Sequence, residues 1–182
     1  FSAYSQITSA QNGNWSATTT WAGGSVPGVS DAVVIAHDVS CASTQSASTL
    51  TVNSGKTLTL TKDGALTVAG AVSNSGTIVV VGAENESGSL IATSASAFTL
   101  SFDLYIPQNQ WKLVGIPVSG EVVGDIDDNL ATNTVGGVNK IGLGYWNTSS
   151  SSWTVLAASA TGDGLTQTRG YEMLHSSGDV VR

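Results

Sequence analysis

Between Ser48 and Val81 the chain is written in units too short for ordinary hairpins. Leu50-Thr-Val52 is followed by Asn53-Ser-Gly55, Leu58-Thr-Leu60 by Lys62-Asp-Gly64, and Leu66-Thr-Val68 by Gly70. Val72 then precedes Asn74-Ser-Gly76, and Ile78-Val-Val80 precedes Gly82. The glycines at 55, 64, 70, 76 and 82 are spaced 9, 6, 6 and 6 residues apart. Each unit is a very short strand with alternate apolar side chains facing one way, then a turn that uses the backbone latitude of Gly or Asn. Antiparallel sandwiches turn every 8–12 residues or so. Six-residue spacing instead favours the sides of a coil that stacks on the coil before it, a parallel β-helix. Asn53 and Asn74 fall inside its turns, where they are expected to stack as a small hydrogen-bonding ladder.

Composition agrees with an all-β chain. Only 10% of residues are charged, against roughly 25% in an average soluble protein. Ser and Thr make up about a quarter of the 182 residues; Val, Thr, Ile and aromatics are plentiful, which favours strands over helices. With 41% apolar residues and 3 prolines, the chain is neither a disordered linker nor collagen. Net charge is −7, and the basic residues Lys56, Lys62, Lys112, Lys140, Arg169 and Arg182 form no cluster. Nucleic acid and anionic membrane surfaces are thereby excluded as partners. No apolar run approaches the ~20 residues of a membrane span, so no membrane insertion is expected.

The chain divides by pattern. Phe1-Ser-Ala-Tyr-Ser-Gln6 reads as a signal-peptide remnant, with Ala3 and Ser5 placed for cleavage. Residues 7–92 read as a β-helix-like region whose N-terminal cap holds Trp15 and Trp21, followed by a buried strand at Ala32–Ala36. The polar segment Gly82–Gly88 leads into a β-sandwich-like region, 93–182, which stops inside an apolar pattern as a truncated fragment does. There Phe98, Leu100, Phe102, Leu104 and Ile106 alternate as one long strand. Trp111–Val118 is another strand, with Pro117 marking an edge or bulge. Asp125–Leu130 is a helical turn, Ile141–Trp146 and Trp153–Leu156 form a hairpin with a serine-rich tip, and Tyr171–Leu174 is the last strand. The fold class is all-β, a short parallel β-helix (β-solenoid) followed by a β-sandwich-like region.

The stretch Asn14-Trp-Ser-Ala-Thr-Thr-Thr-Trp-Ala-Gly-Gly-Ser-Val-Pro27, with Asp31-Ala-Val-Val-Ile35, resembles the opening of many secreted Bacteroidetes surface proteins and of the G8 domain. Leu-Thr-Val rungs follow in those proteins as they do here. The segments Trp111–Val118, Tyr145-Trp146, Trp153 and Gly170-Tyr171 resemble a module of the same proteins, many of which carry a sorting domain for the type IX secretion system. The resemblance implies an extracellular or cell-surface location and contact with a secretion machinery.

Chemistry is sparse. Before Glu84 the only acidic residues are Asp31, Asp38 and Asp63, and no arginine precedes Arg169. The first region therefore lacks the carboxylate pair of a hydrolase and the arginine of many lyases. His37 and Asp38 point to opposite faces of an extended segment. Cys41 reads as a small buried hydrophobe, since His37, four residues earlier in a strand, lies ~13 Å away. Asp125, Asp127 and Asp128 are candidate calcium ligands, with Asp163 a fourth, but Gly136 stands where an EF-hand loop carries Glu; a solvated acidic loop is the plainer reading, and no other cofactor is expected. His175 reads as structural or surface. Outward threonines at Thr49, Thr51, Thr57, Thr59 and Thr61 suit an ice-binding array, but are also ordinary strand formers. Tyr145, Trp146 and Trp153 are candidate sugar-stacking residues, one of the first two necessarily facing out. The chain reads as a non-enzymatic adhesin or structural module of a secreted or cell-surface protein, with a surface glycan or a protein as partner. The alternative is a carbohydrate-binding module of a larger polysaccharide-active enzyme.

Overall fold

The computed structural model describes residues 5–94, 98–116, 119–127, 129–176 and 179–181, and divides into one unit ending at Asp103 and a second beginning at Leu104. The first unit is a parallel β-solenoid. The chain enters through β1 (Gln6–Thr8) and β2 (Gly13–Asn14). Three turns follow: β3 (Ala32–Ile35), β4 (Val39–Cys41) and β5 (Thr44–Ala47); β6 (Thr49–Val52), β7 (Thr57–Leu60) and β8 (Ala65–Val68); β9 (Val72–Asn74), β10 (Thr77–Val80) and β11 (Ser89–Ala92). A last strand, β12 (Ser101–Phe102), pairs with β10. All pairings between these strands are parallel, and they build three faces: β1-β3-β6-β9, β2-β4-β7-β10-β12 and β5-β8-β11. Successive coils are 17 residues apart from Ala32 to Thr49 and 20 apart from Thr57 to Thr77. The short units of the sequence are thus sides, and about three of them close a coil.

In-register stacking turns the alternation of each strand into continuous inward rows. One row is Ile7, Val33, Leu50 and Val72; others are Val39, Leu58 and Ile78, and Cys41, Leu60, Val80 and Phe102. Val33, Leu50, Val72, Leu58 and Ile78 are buried, and each such side chain contributes about 1.5–3 kcal/mol. Between β2 and β3, ahead of the first coil, Trp15 and Trp21 pack into the same core edge to face, with centroids 5.0 Å apart. The Trp21 indole N–H donates to the carbonyl of Trp15 at 2.6 Å.

Polar side chains hold the corners, where backbone groups leave the ladder and need other partners. Ser9 Oγ accepts from the N–H groups of Ala36 and His37 at 2.8 and 2.9 Å. Asp38 Oδ1 accepts from Thr57 N at 2.9 Å, tying one coil to the next. The asparagine ladder expected at Asn53 and Asn74 does not form. The register pairs Asn74 with Val52, which places Asn53 one position further on. Asn74 instead accepts from Gly76 N at 3.0 Å and donates to the carbonyl of Thr99 at 2.7 Å. At Gly64 a Cβ would lie 2.0 Å from the carbonyl oxygen of Cys41, so the coils meet there backbone to backbone.

The alternating segment Phe98–Ile106, read from sequence as one strand beyond a boundary at 92/93, is shared between the two units. Phe98, Leu100 and Phe102 pack on the solenoid core, while Leu104 and Ile106 belong to the second core. The apolar alternation continues without a break, but the burial partner changes at Asp103.

The second unit contains β13 (Leu104–Ile106), β14 (Trp111–Gly115), α1 (Val123–Ile126), β15 (Thr132–Val135), β16 (Val138–Asn147), β17 (Ser152–Ala157), β18 (Gly170–Leu174) and β19 (Asp179–Val181). Its main sheet is antiparallel, in the order β14-β18-β16-β15, with β17 also on β16; β13 and β19 form a separate antiparallel pair. β16 carries most of this sheet, because its ten residues are long enough to pair with β15, β17 and β18. One face, with Val114, Ile141, Leu143, Tyr171 and Met173, is buried beneath Ile106, Val123, Ile126 and Leu165. Pro117 and Val118, expected to end β14, lie outside the described residues.

Leu58→Ala, which opens the centre of an inward row, is expected to cost about 2–5 kcal/mol of unfolding free energy. Gly64→Val must push two coils apart and is expected to cost at least as much. Thr67→Val, on an exposed outward position, should stay within about 0.5 kcal/mol of the parent. Urea unfolding followed by circular dichroism measures all three.

Candidate functional site

The opposite face of the second unit's sheet is not apolar core. The pleat sends alternate residues of each strand to it, and the registers sort them into rows. Trp111 of β14 lies beside Leu174 of β18. The next row is Leu113 of β14, Glu172 of β18, Gly144 of β16 and Val155 of β17. Beyond it Trp146 of β16 faces Trp153 of β17. Trp111, Trp146 and Trp153 are 49%, 47% and 41% exposed, and Leu113 is 73% exposed.

Trp146 and Trp153 meet edge to face, centroids 5.8 Å apart. The tip of their hairpin is held by Asn147, whose Oδ1 accepts from Ser149 N at 3.0 Å. Between Trp153 and Trp111 runs an open groove of about 780 Å³, lined by Gly142 and Leu174 with Asn133, Val135 and Lys140 beside them. Gly142 is required there: a Cβ would lie 2.3 Å from the carbonyl oxygen of Leu174. The Lys140 ammonium donates to the carbonyl of Val155 at 2.9 Å. Partial burial on this face raises the Glu172 carboxyl above its ordinary value.

The three aromatic residues singled out from sequence do not share one surface. Trp146 and Trp153 do, as a cross-strand pair. Tyr145 lies on the other face, where its ring meets Tyr171 edge to face at 6.3 Å and the Arg169 guanidinium sits 4.1 Å over it. Trp111 and Glu172 complete the exposed face from two other strands. Their adjacency depends on β18 lying between β14 and β16, which no local spacing announces.

The other candidates are placed as follows. Asp125 Oδ2 accepts from Val122 N at 2.9 Å, closing the start of α1. Glu121 nearby has its carboxyl raised by burial and then by the charge of Asp125. Asp128 lies outside the described residues, and among the described residues no three His, Cys, Asp or Glu side chains gather as metal ligands. Asp163 lines a separate hollow of about 390 Å³ with Tyr145 and Arg169. His37 Nδ1 lies 2.8 Å from the carbonyl of Ser9, and Asp38 holds Thr57 N, so both serve corners. His175 is buried in the second unit. Cys41 is buried with its thiol 3.2 Å from the carbonyl of Ser43; burial pushes the thiol up, only partly offset by that hydrogen bond. The threonines do not form one array. Thr51 is flanked by Val34 and Ser73, and Thr59, on a different face, by Ser40 and Val79. Among the described residues no helix is long and apolar enough to cross a membrane.

Comparison of the chain with protein-family models, curated proteins and solved structures gave no match.

The Cys41 thiol is expected to resist a thiol-specific disulfide reagent in the folded protein and to react fully once urea unfolds it, the absorbance of the released thiolate giving both rates. Trp146→Ala, Trp153→Ala and the double variant should leave the fold intact. Their unfolding free energies should reveal a coupling of about 0.5–1.5 kcal/mol for the edge-to-face pair.

Proposed function

We propose that this chain is a non-enzymatic module of a secreted or cell-surface protein, an adhesin that holds glycans on the exposed tryptophan face of its second unit. The observation that carries the reading is one exposed face bearing Trp111, Trp146 and Trp153, each about half exposed, with Trp111 and Trp153 lining an open groove and Trp146 packed against Trp153. Half-exposed indoles are costly to leave in water unless something covers them, and a pyranose does so well. Its C–H faces are apolar and stack on the rings, while its hydroxyls hydrogen-bond to polar groups at the margin. Asn133 and Lys140, which line the groove, supply such groups. The solenoid then serves as a scaffold, its outward positions taken largely by Thr, Ser and Val side chains. Export to the cell surface rests on the resemblance of the Asn14–Pro27 and Asp31–Ile35 segments to secreted Bacteroidetes and G8-type openings. A type IX route follows from the same resemblance.

A protein partner is the second reading. Leu113 and Val135 are 73% and 59% exposed, and such aliphatic side chains serve a protein interface better than a sugar.

A glycan array probed with the purified chain separates the two. Saturable binding is expected, and each of Trp111→Ala, Trp146→Ala and Trp153→Ala should weaken it tenfold or so, about 1.4 kcal/mol. Absence of binding to any glycan would overturn this reading in favour of a protein partner.

A further inference from the structure

We propose that Glu172 is the hydroxyl acceptor at the centre of the tryptophan face, and that it restricts the ligand to neutral glycans long enough to reach from Trp111 to the Trp146–Trp153 pair. The inference rests on the glycan reading above and adds the class of sugar and the residue that selects it.

The registers set the geometry. Glu172 stands one row from Trp111 and one row from the Trp146–Trp153 pair. Same-face rows are two residues, about 7 Å, apart along an antiparallel strand. β14 and β17 are separated by three strand spacings, about 14 Å. A ligand stacked at both ends therefore spans several sugars and passes over Glu172. The carboxylate has room to meet it: its flanking neighbours are Leu113 and Gly144, and a Cβ at Gly144 would sit 3.6 Å from Glu172 Oε1.

No described side chain ion-pairs or hydrogen-bonds with Glu172, in a chain whose described ion pairs are those of Lys62 with Asp63 and Glu86. An ionised carboxylate accepts at both oxygens, and vicinal hydroxyls of a sugar supply two donors in strong charge-assisted bonds. A uronate or sulfate at the same point would face a like charge in a partly desolvated place, within a chain of net charge −7. Among the described residues the cation on this face is Lys140 of β16, its ammonium engaged by the carbonyl of Val155. Lys112 of β14 is registered with Met173 on the buried face and donates to the carbonyl of Tyr105. β17 presents no titratable group.

Calorimetry with neutral cello-, xylo- and manno-oligosaccharides, and with oligogalacturonate and a sulfated oligosaccharide, tests this on the parent chain, Glu172→Gln and Trp153→Ala. The parent should bind a neutral oligosaccharide and neither acidic one. Glu172→Gln, with an unchanged unfolding curve, should bind the neutral ligand about tenfold more weakly and gain measurable affinity for an acidic one. Parent affinity should also fall on acidification as Glu172 takes up a proton, beginning above the ordinary carboxylate range, and Glu172→Gln should show no such fall. If Trp153→Ala abolishes binding while Glu172→Gln keeps parental affinity and selectivity, the role of Glu172 is overturned and the glycan reading stands. If the parent binds no oligosaccharide, both fall together.

Discussion

In-register parallel stacking is the constraint from which the first unit follows. Once Val33, Leu50 and Val72 lie one above another, each coil buries its neighbour's apolar row. No coil could bury its own few inward side chains alone. The strands then need only three or four residues, and outward positions are free to be Thr, Ser or Val at little cost. The price falls on the corners, where backbone groups leave the ladder. Ser9, Asp38 and Asn74 are placed where those groups need partners, so these three side chains are absorbed by structure.

The second unit uses the same two-residue alternation to a different end. Its sheet has one face closed by Ile106, Val123, Ile126 and Leu165 and the other left with three half-exposed tryptophans. β16 makes both faces at once. Ile141, Leu143 and Tyr145 go to the core; Gly142, Gly144 and Trp146 go to the open side. The glycines are as informative as the aromatics. One lets Leu174 of the neighbouring strand approach, and the other leaves space beside the Glu172 carboxylate. The open face thus carries large rings at its ends, with Leu113, Glu172, Gly144 and Val155 in the row between them.

Much of this was legible in residue spacing. The six-residue units pointed to the solenoid, since a strand-turn period that short is too tight for ordinary hairpins. The hairpin between Trp146 and Trp153 was legible too, because two alternating segments flanked a polar tip. The domain boundary was less so: Phe98 to Ile106 keeps one alternation through Asp103, and periodicity reports burial without saying in which core. The asparagine ladder failed for a related reason. Asn53 and Asn74 occupy equivalent-looking turns, yet the coils differ in length, and register is set by the strands that pair.

Residue order alone determined the all-β character, the coiled first region and the poverty of acid–base groups, because all three follow from composition and short-range period. It also required that Tyr145 and Trp146, as neighbours in a strand, face opposite ways. Which of them faces out was decided by the tertiary structure. Tyr145 shares the buried side with Tyr171 and Arg169, and that pushes Trp146 to the open side beside Trp153. The tertiary structure alone also brought Trp111 and Glu172 to that face. Glu172 lies 61 residues beyond Trp111 in the chain, and only the pairing of β14 with β18 and of β18 with β16 makes them neighbours. Strand order in an antiparallel sheet is chosen by which faces can be buried together, a competition among distant segments that local sequence does not record.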